Sequence, residues 1–195
     1  MNDLHGYVVL WRIYDYKKYM LWHYGASGRD LFAKKSGTSS LIICKTRLNL
    51  TRAAEKYNIT VDKKKAQVID MSRVFISLDM LESDKFLSKQ IAKILLEAWN
   101  GLDDLAYSIG DILFGRSSWA KCNKKLYKKI FYANELPSIT PAGKHFNVIL
   151  SNKEIEFMKN LLVKQGVRIL KKSGIIILKP GAAPNTVQTR TTGTG

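Results

Sequence analysis

Two consecutive helices are predicted for residues 83–113, SDKFLSKQIAKILLEAWNGLDDLAYSIGDIL. Ser83 is a candidate N-cap for the first helix, because its side chain can accept a hydrogen bond from a free backbone N–H. Asn100 and Gly101 predict the end of that helix, since both residue types favour helix C-termini. Apolar residues at helical spacing form one face of each predicted helix: Leu87, Ile91, Ile94, Leu95 and Ala98, then Leu102, Leu105, Ala106, Ile109 and Leu113.

The chain on either side of these helices is predicted to be mainly strand, because β-branched and aromatic runs alternate there with turn residues. The predicted strands are residues 6–14, 41–50, 57–61, 74–78, 126–133 and 145–150. A third helix is predicted from Ser151, which forms a capping-box pattern with Glu154, to Gly166. Residues 167–170 and 175–178 predict a β-hairpin around a Lys-Lys-Ser-Gly turn.

This order of elements predicts an α+β fold with a single basic domain over residues 1–179. In that fold an antiparallel sheet packs with about three helices, and the C-terminal β-hairpin completes it. Residues 180–195 are rich in Thr, Gly and Pro and are predicted to form a disordered tail. The sequence has no run of 18 or more uncharged apolar residues, so no transmembrane helix is predicted.

The chain carries a formal net charge of +16, from 32 Lys and Arg residues against 16 Asp and Glu residues. Such a surplus predicts association with polyanions: nucleic acid, anionic lipid or an acidic partner. Residues 1–60 and 111–179 are strongly basic, whereas residues 61–110 are nearly neutral. The candidate nucleic-acid- or lipid-binding residues are the lysine clusters: Lys121, Lys124, Lys125, Lys128 and Lys129, then Lys63, Lys64 and Lys65, then Lys85, Lys89 and Lys93 on the first predicted helix, and Lys171 and Lys172.

Enzymatic and metal-binding motifs are missing from the sequence. Its three histidines are far apart, no Cys pair has ligand spacing, and neither a P-loop nor a Rossmann glycine pattern occurs. We therefore expect no catalytic residues, no metal and no cofactor. The enzyme hypothesis that stays open is a nuclease, in which His145 and Lys144 act with an acid for phosphodiester chemistry. The candidate acids are Asp70, Asp79 and Glu97.

Aromatic residues are interleaved with the basic clusters in residues 14–19 and 126–132. Such a pattern is typical of nucleic-acid binding, because cations neutralise phosphates and rings stack on exposed bases. The same pattern suits an anionic membrane surface or core packing. In a strand over residues 126–132, both faces mix lysine with apolar side chains, so the pattern does not decide between these uses.

Two blocks of the sequence resemble the matrix proteins of rhabdoviruses. The first is the β-rich run Val74–Met80 followed by the basic amphipathic segment Phe86–Trp99. The second, Phe157–Leu178, reads as helix, glycine, strand, Lys-Lys-Ser-Gly turn and strand, and resembles the end of the vesiculovirus matrix domain. Rhabdovirus matrix proteins are small, basic, single-domain proteins with an α+β core. The sequence lacks the Pro-rich arm with a P-P-x-Y motif that animal members usually have, which favours a plant-infecting member.

The resemblance implies a viral structural protein that self-associates and condenses the nucleocapsid. It would bridge the nucleocapsid or RNA to an anionic membrane surface, as a homo-oligomer in the virion and in the host cytoplasm or nucleus. A reducing compartment is also what the isolated Cys44 and Cys122 predict. The main alternative is a basic nucleic-acid-binding viral protein without a membrane role, such as a silencing suppressor or movement protein. The third is a nuclease toxin.

Overall fold

The sheet is built around its first strand. The computed structural model describes residues 4–24, 30–62, 66–112, 119–136, 138, 140–141 and 143–176; for residue 4 and residues 119–122 it describes the backbone only. The strands are β1 (Leu4–Ile13), β2 (Tyr16–Tyr24), β3 (Asp30–Phe32), β4 (Ile43–Cys44), β5 (Ile59–Val61) and β6 (Gln67–Asp70). The hairpin partner β2 is antiparallel to β1 and also pairs with β3 and β4, whereas β5 and β6 pair with β1 in parallel.

The helices cover both faces of this sheet. They are α1 (Arg47–Lys56), α2 (Met71–Asp84), α3 (Lys89–Ser108) and α4 (Trp119–Ala133), followed by a continuous helical run of α5 (Asn152–Met158), a π-helical segment (Lys159–Gln165) and α6 (Gly166–Lys172). Helix α1 packs on one face, where Leu50 and Ala54 meet Val8 and Leu21. The other helices lie on the opposite face. The larger hydrophobic core is there, with Trp11 among its residues.

The α+β fold class is therefore confirmed, but the sheet is mixed and not purely antiparallel. The parallel pairing was not apparent from the sequence because β5 and β6 are only three and four residues long. The strands at 6–14 and 57–61 are confirmed as β1 and β5. The strand at 41–50 is wrong beyond β4, since Thr46 caps α1 there by accepting a hydrogen bond from Asn49 N. The predicted tail at 180–195 lies outside the described residues.

Three further predicted strands are wrong. Residues 74–78 lie within α2, where Asp70 caps the helix and Val74, Leu78 and Leu81 are buried at helical spacing. Residues 145–150 contribute only an isolated bridge between Phe86 and Ile149. The third, at 126–133, is the C-terminal half of α4 and is helical throughout.

Two glycines that predicted helix ends lie inside helices instead. Gly101 is in the middle of α3, and a Cβ built there would lie 2.3 Å from Ile69 Cδ1 and 3.4 Å from the Trp11 ring. A Cβ on Gly166 would lie 2.8 Å from Leu102 Cδ1. Each glycine therefore permits a close approach, α3 against the sheet and α6 against α3. Consequently the two predicted helices of residues 83–113 are one, which begins after its N-cap Ser88 and not at Ser83.

The predicted β-hairpin at 167–178 is also wrong over residues 167–176; residues 177 and 178 lie outside the described residues. Residues 166–172 form α6, with Ile169 and Leu170 fully buried, and only the turn through Gly174 remains of the prediction. The capping box is confirmed: Ser151 Oγ accepts from Glu154 N, and the Glu154 carboxylate accepts from Ser151 N. Helical structure therefore replaces strand in both blocks that carry the resemblance to rhabdovirus matrix proteins.

Candidate polyanion interface

Helix α4 gathers the densest lysine cluster on one side. Lys124, Lys125 and Lys128 are exposed, whereas Leu126, Ile130 and Ala133 on the opposite side are buried. The sequence pattern of residues 126–133 favours a strand and does not reveal that lysines and apolar residues lie on opposite sides of a helix. An eight-residue segment is too short for that, because helical periodicity is recognised only over several turns. Lys121 belongs to the same helix, but its side chain is not described. We call the exposed side of α4 that carries Lys124, Lys125 and Lys128 the lysine face.

The three lysines of the lysine face are not held in ion pairs within the described residues. The sequence of α4 contains no Asp or Glu. Within the described part of the chain, none of its three exposed lysines forms an ion pair; Lys129, at the margin, is the one that does, with Nζ 2.7 Å from Glu154 Oε1. Three uncompensated cations on one helical side therefore remain available to an external anion.

Helix α3 separates α4 from the sheet. On one side of α3, Asn100 Oδ1 accepts a 3.0 Å hydrogen bond from the Tyr127 hydroxyl of α4, and the ring of Trp99 meets the ring of Tyr127 edge-on. On the sheet side, Gly101 approaches β6, and Ser108 Oγ accepts a 2.8 Å hydrogen bond from Phe32 N of β3. The lysine face therefore lies on the outermost helical layer of this side of the molecule.

An aromatic pair continues the lysine face at the C-terminal end of α4. Tyr132 is 46% exposed, and its ring centroid lies 5.6 Å from that of the half-buried Phe146. Lys144 Nζ stands 5.3 Å from the centroid of Phe146, within the range of a cation–π contact. We call Tyr132 and Phe146 the aromatic step.

Glu135 holds the segment that supplies Phe146. Its carboxylate accepts hydrogen bonds from Phe146 N at 3.1 Å and from His145 Nδ1 at 3.1 Å, and it lies 3.7 Å from Lys89 Nζ. The backbone hydrogen bond from Phe146, aided by His145 and Lys89, lowers the pKa of Glu135. The end of α4, the start of α3 and the loop after residue 143 are therefore joined at one carboxylate.

The candidate nuclease residues do not converge. His145 pairs with Glu135, whereas Asp70 lies 3.4 Å from Arg12 and caps α2, and Asp79 lies 3.2 Å from Lys159. Glu97 pairs with Lys93 at 4.0 Å, and burial raises its pKa. These acids serve separate structural contacts, so the acid–base constellation expected for a nuclease is not assembled from them.

The remaining predicted lysines are scattered or paired. Lys89 and Lys93 lie on α3 but pair with Glu135 and Glu97. Lys85 does not share their helix, because its positive φ of 61° makes it the left-handed C-cap of α2. Lys171 is exposed at the end of α6. Lys63, Lys64 and Lys65 lie outside the described residues.

Lys172 belongs to a structural ion cluster around Asp111. Its Nζ lies 2.7 Å from Asp111 Oδ2, and Arg168 Nη1 lies 2.8 Å from the same oxygen. The hydrogen bonds from Arg168 and Lys172 hold the pKa of Asp111 well below its usual range. This cluster attaches α6 to the chain just after α3, so Lys172 is already neutralised.

A second basic surface on α1 was not found from the sequence. Lys45, Arg52 and Lys56 are exposed on or next to α1, and Leu48 beside them is 59% exposed. The N-cap pattern at Thr46 and the basic residues of RLNLTRAAEK would have indicated an amphipathic helix, but the β-rich start of LIICKTRLNL favoured a strand. Because α1 covers the other face of the sheet, this surface and the lysine face lie on opposite sides of the molecule.

The comparisons with known proteins find no matching family model, no matching curated protein and no matching solved structure. Among the described residues, no helix is long and apolar enough to cross a bilayer. In the same residues, no group of three His, Cys, Asp or Glu side chains is placed to hold a metal ion.

Proposed function

We propose that this chain is a non-enzymatic, matrix-type structural protein that bridges RNA, in the form of a viral nucleocapsid, to an anionic membrane surface. The observation that carries the proposal is the pair of opposed basic surfaces, the lysine face of α4 and the α1 surface. A bridge needs two such surfaces on different sides. The predicted strands in the two blocks that resemble rhabdovirus matrix proteins give the proposal no support, because those segments are helical.

The physical basis is charge neutralisation on both sides. Binding of a single-stranded nucleic acid releases about 0.7 counterion per neutralised phosphate, which makes the affinity steeply dependent on salt. Each basic residue near an anionic leaflet contributes about 1 kcal/mol. Three lysines give a weak contact by themselves. Self-association of the protein, which is part of the proposal, makes such contacts multivalent and therefore strong.

Charge reversal of each surface tests this function. The α4 variant is Lys124→Glu, Lys125→Glu and Lys128→Glu, and the α1 variant is Lys45→Glu, Arg52→Glu and Lys56→Glu. A matched control reverses three exposed basic residues elsewhere, Arg73, Lys153 and Lys164, so the net charge changes equally. The assays are RNA binding across a salt series and flotation with vesicles of anionic or neutral lipid, with and without RNA.

We expect the wild type to bring RNA to anionic vesicles, and each surface variant to lose this co-flotation while the control keeps it. Light scattering should show assemblies larger than a monomer. RNA binding without vesicle binding would refute the bridging role and favour the nucleic-acid-binding alternative. Metal-dependent RNA cleavage that His145→Ala abolishes would refute the structural role and favour a nuclease.

A further inference from the structure

The lysine face and the aromatic step form one continuous surface. Lys125, Lys128 and Tyr132 are spaced at i, i+3 and i+7, which places them along one side of α4. Beyond Tyr132, the surface continues through Phe146 to Lys144. The half-exposed ring of Tyr132 therefore shares one side of α4 with Lys125 and Lys128, and it contacts Phe146, which Lys144 Nζ approaches.

The ring of Tyr132 is held in place by its neighbours. It contacts Phe131 edge-on at 6.0 Å and Phe146 at 5.6 Å. Phe131 in turn stacks on Tyr127, whose hydroxyl is bound by Asn100. Phe146 is fixed through its backbone N–H to Glu135. A ring that is already positioned loses little side-chain entropy when a flat ligand stacks on it.

We propose that the lysine face and the aromatic step bind single-stranded RNA, with one base stacked on Tyr132 and the neighbouring phosphates on Lys125 and Lys128. This proposal rests on the function proposed above and names the partner of the α4 side. From Lys125 to Tyr132 the helix rises by about 10 Å, since each residue adds about 1.5 Å. That length spans about three stacked nucleotides at roughly 3.4 Å each.

RNA fits this surface better than a membrane does. A helix that enters the headgroup region presents large aliphatic or aromatic side chains beside its cations. Among the described side chains of α4, Tyr132 is the one large hydrophobic that is exposed, and its ring partner Phe146 is preceded in the chain by Lys144, which stands over the Phe146 ring, and by His145, whose side chain is 77% exposed. Alternating rings and cations on a wet surface are instead the pattern that binds single-stranded nucleic acid.

Substitutions at Tyr132 test the proposal with three probes of equal charge: a ten-nucleotide single-stranded uridine RNA, a duplex RNA with as many phosphates, and a polyphosphate chain without bases. The variants are Tyr132→Ala, Tyr132→Leu and Tyr132→Phe. Tyr7→Ala is the control, because Tyr7 is 54% exposed on β1, away from α4. Circular dichroism and a thermal melt establish that each variant is folded, and Tyr132→Leu keeps an apolar contact for Phe146 if alanine destabilises the helix.

We expect Tyr132→Ala and Tyr132→Leu to weaken binding of the single-stranded RNA by about tenfold, as loss of one stacked base does. Tyr132→Phe and Tyr7→Ala should bind like the wild type, and affinity for duplex RNA and polyphosphate should change little. Equal loss for all three probes, or no loss for single-stranded RNA, would overturn the stacking while leaving polyanion binding intact. A protein that binds none of the probes would instead overturn the function proposed above. Loss of anionic-vesicle binding in Tyr132→Ala, with RNA binding unchanged, would assign this surface to lipid.

Discussion

Alanine at position 101 should destabilise this protein, although alanine is a better helix former than glycine. In an exposed helix, Gly→Ala stabilises by about 1 kcal/mol. In α3, however, the new Cβ would lie 2.3 Å from Ile69 Cδ1, in a core where Ile69 is 1% exposed and the Trp11 ring is 3.4 Å away. Overpacking of this kind costs about 1–3 kcal/mol. The net effect of Gly101→Ala is therefore a loss of about 1 kcal/mol in the free energy of unfolding.

The clash can be isolated because it involves one methyl group. Ile69→Val removes Cδ1 and by itself costs about 0.5–1.5 kcal/mol. In that background Gly101→Ala should be neutral or stabilising by up to about 1 kcal/mol, since the Cβ then occupies the vacated space. The two substitutions should thus be coupled by about 1–2 kcal/mol in a double-mutant cycle. Urea unfolding of the four proteins measures this coupling.

Additive effects of the two substitutions would refute the close approach of α3 to the sheet. So would a Gly101→Ala single variant that is more stable than the wild type. In either case Gly101 would be an ordinary helix position whose glycine has no packing role, and the position of α3 against β6 would be wrong.

Two other predictions concern the attachment of the C-terminal helices. Asp111→Asn should reduce stability by about 1 kcal/mol at pH 7, because Arg168 and Lys172 lose their charged partner. Since the pKa of Asp111 is lowered on folding, this contribution is present above the unfolded value of about 4 and is lost as the pH falls below it. Urea unfolding at pH 7 and pH 3 should thus show the difference from wild type shrinking in acid; a constant difference would contradict the ion cluster. Ser151→Ala should cost about 1 kcal/mol in thermal unfolding through loss of the N-cap, whereas Ser151→Asp should retain most of it; equal stability of all three proteins would contradict the capping box with Glu154.

The glycines explain much of what sequence patterns could and could not predict. A glycine after an apolar helical run usually ends the helix, so Gly101 and Gly166 divided α3 and the C-terminal helical run into predicted pieces. Their actual role depends on Ile69 and Leu102, residues distant in sequence, which local patterns do not contain. The capping box at Ser151, by contrast, is a local interaction, and it was predicted correctly.

In the candidate interface, too, local features could be predicted from the sequence, whereas contacts between distant residues could not. The lysines of α4 were found from the sequence, because charge density needs no structure. Their common face is not apparent from the sequence, since the pattern of residues 126–133 favours a strand. Phe146 contacts Tyr132 directly while Glu135 holds its backbone N–H, and no spacing in the sequence brings residues 132 and 146 together. The part of the site that could not be predicted therefore depends on contacts between residues distant in sequence.

The central place of β1 sets an order of events during synthesis. One edge of β1 can pair with β2 as soon as the hairpin has left the ribosome, but the other edge needs β5 and β6, whose residues follow about 55 positions later. Until then that edge exposes unpaired backbone groups and the apolar side chains of Val9 and Trp11, which α2 and α3 have yet to cover. Four of the six strands, β1–β4, precede β5 and β6 in the chain. We therefore expect the nascent chain to pass through a stage with a partly formed sheet, in which protection by a chaperone or by slow elongation matters most until β6 has been made.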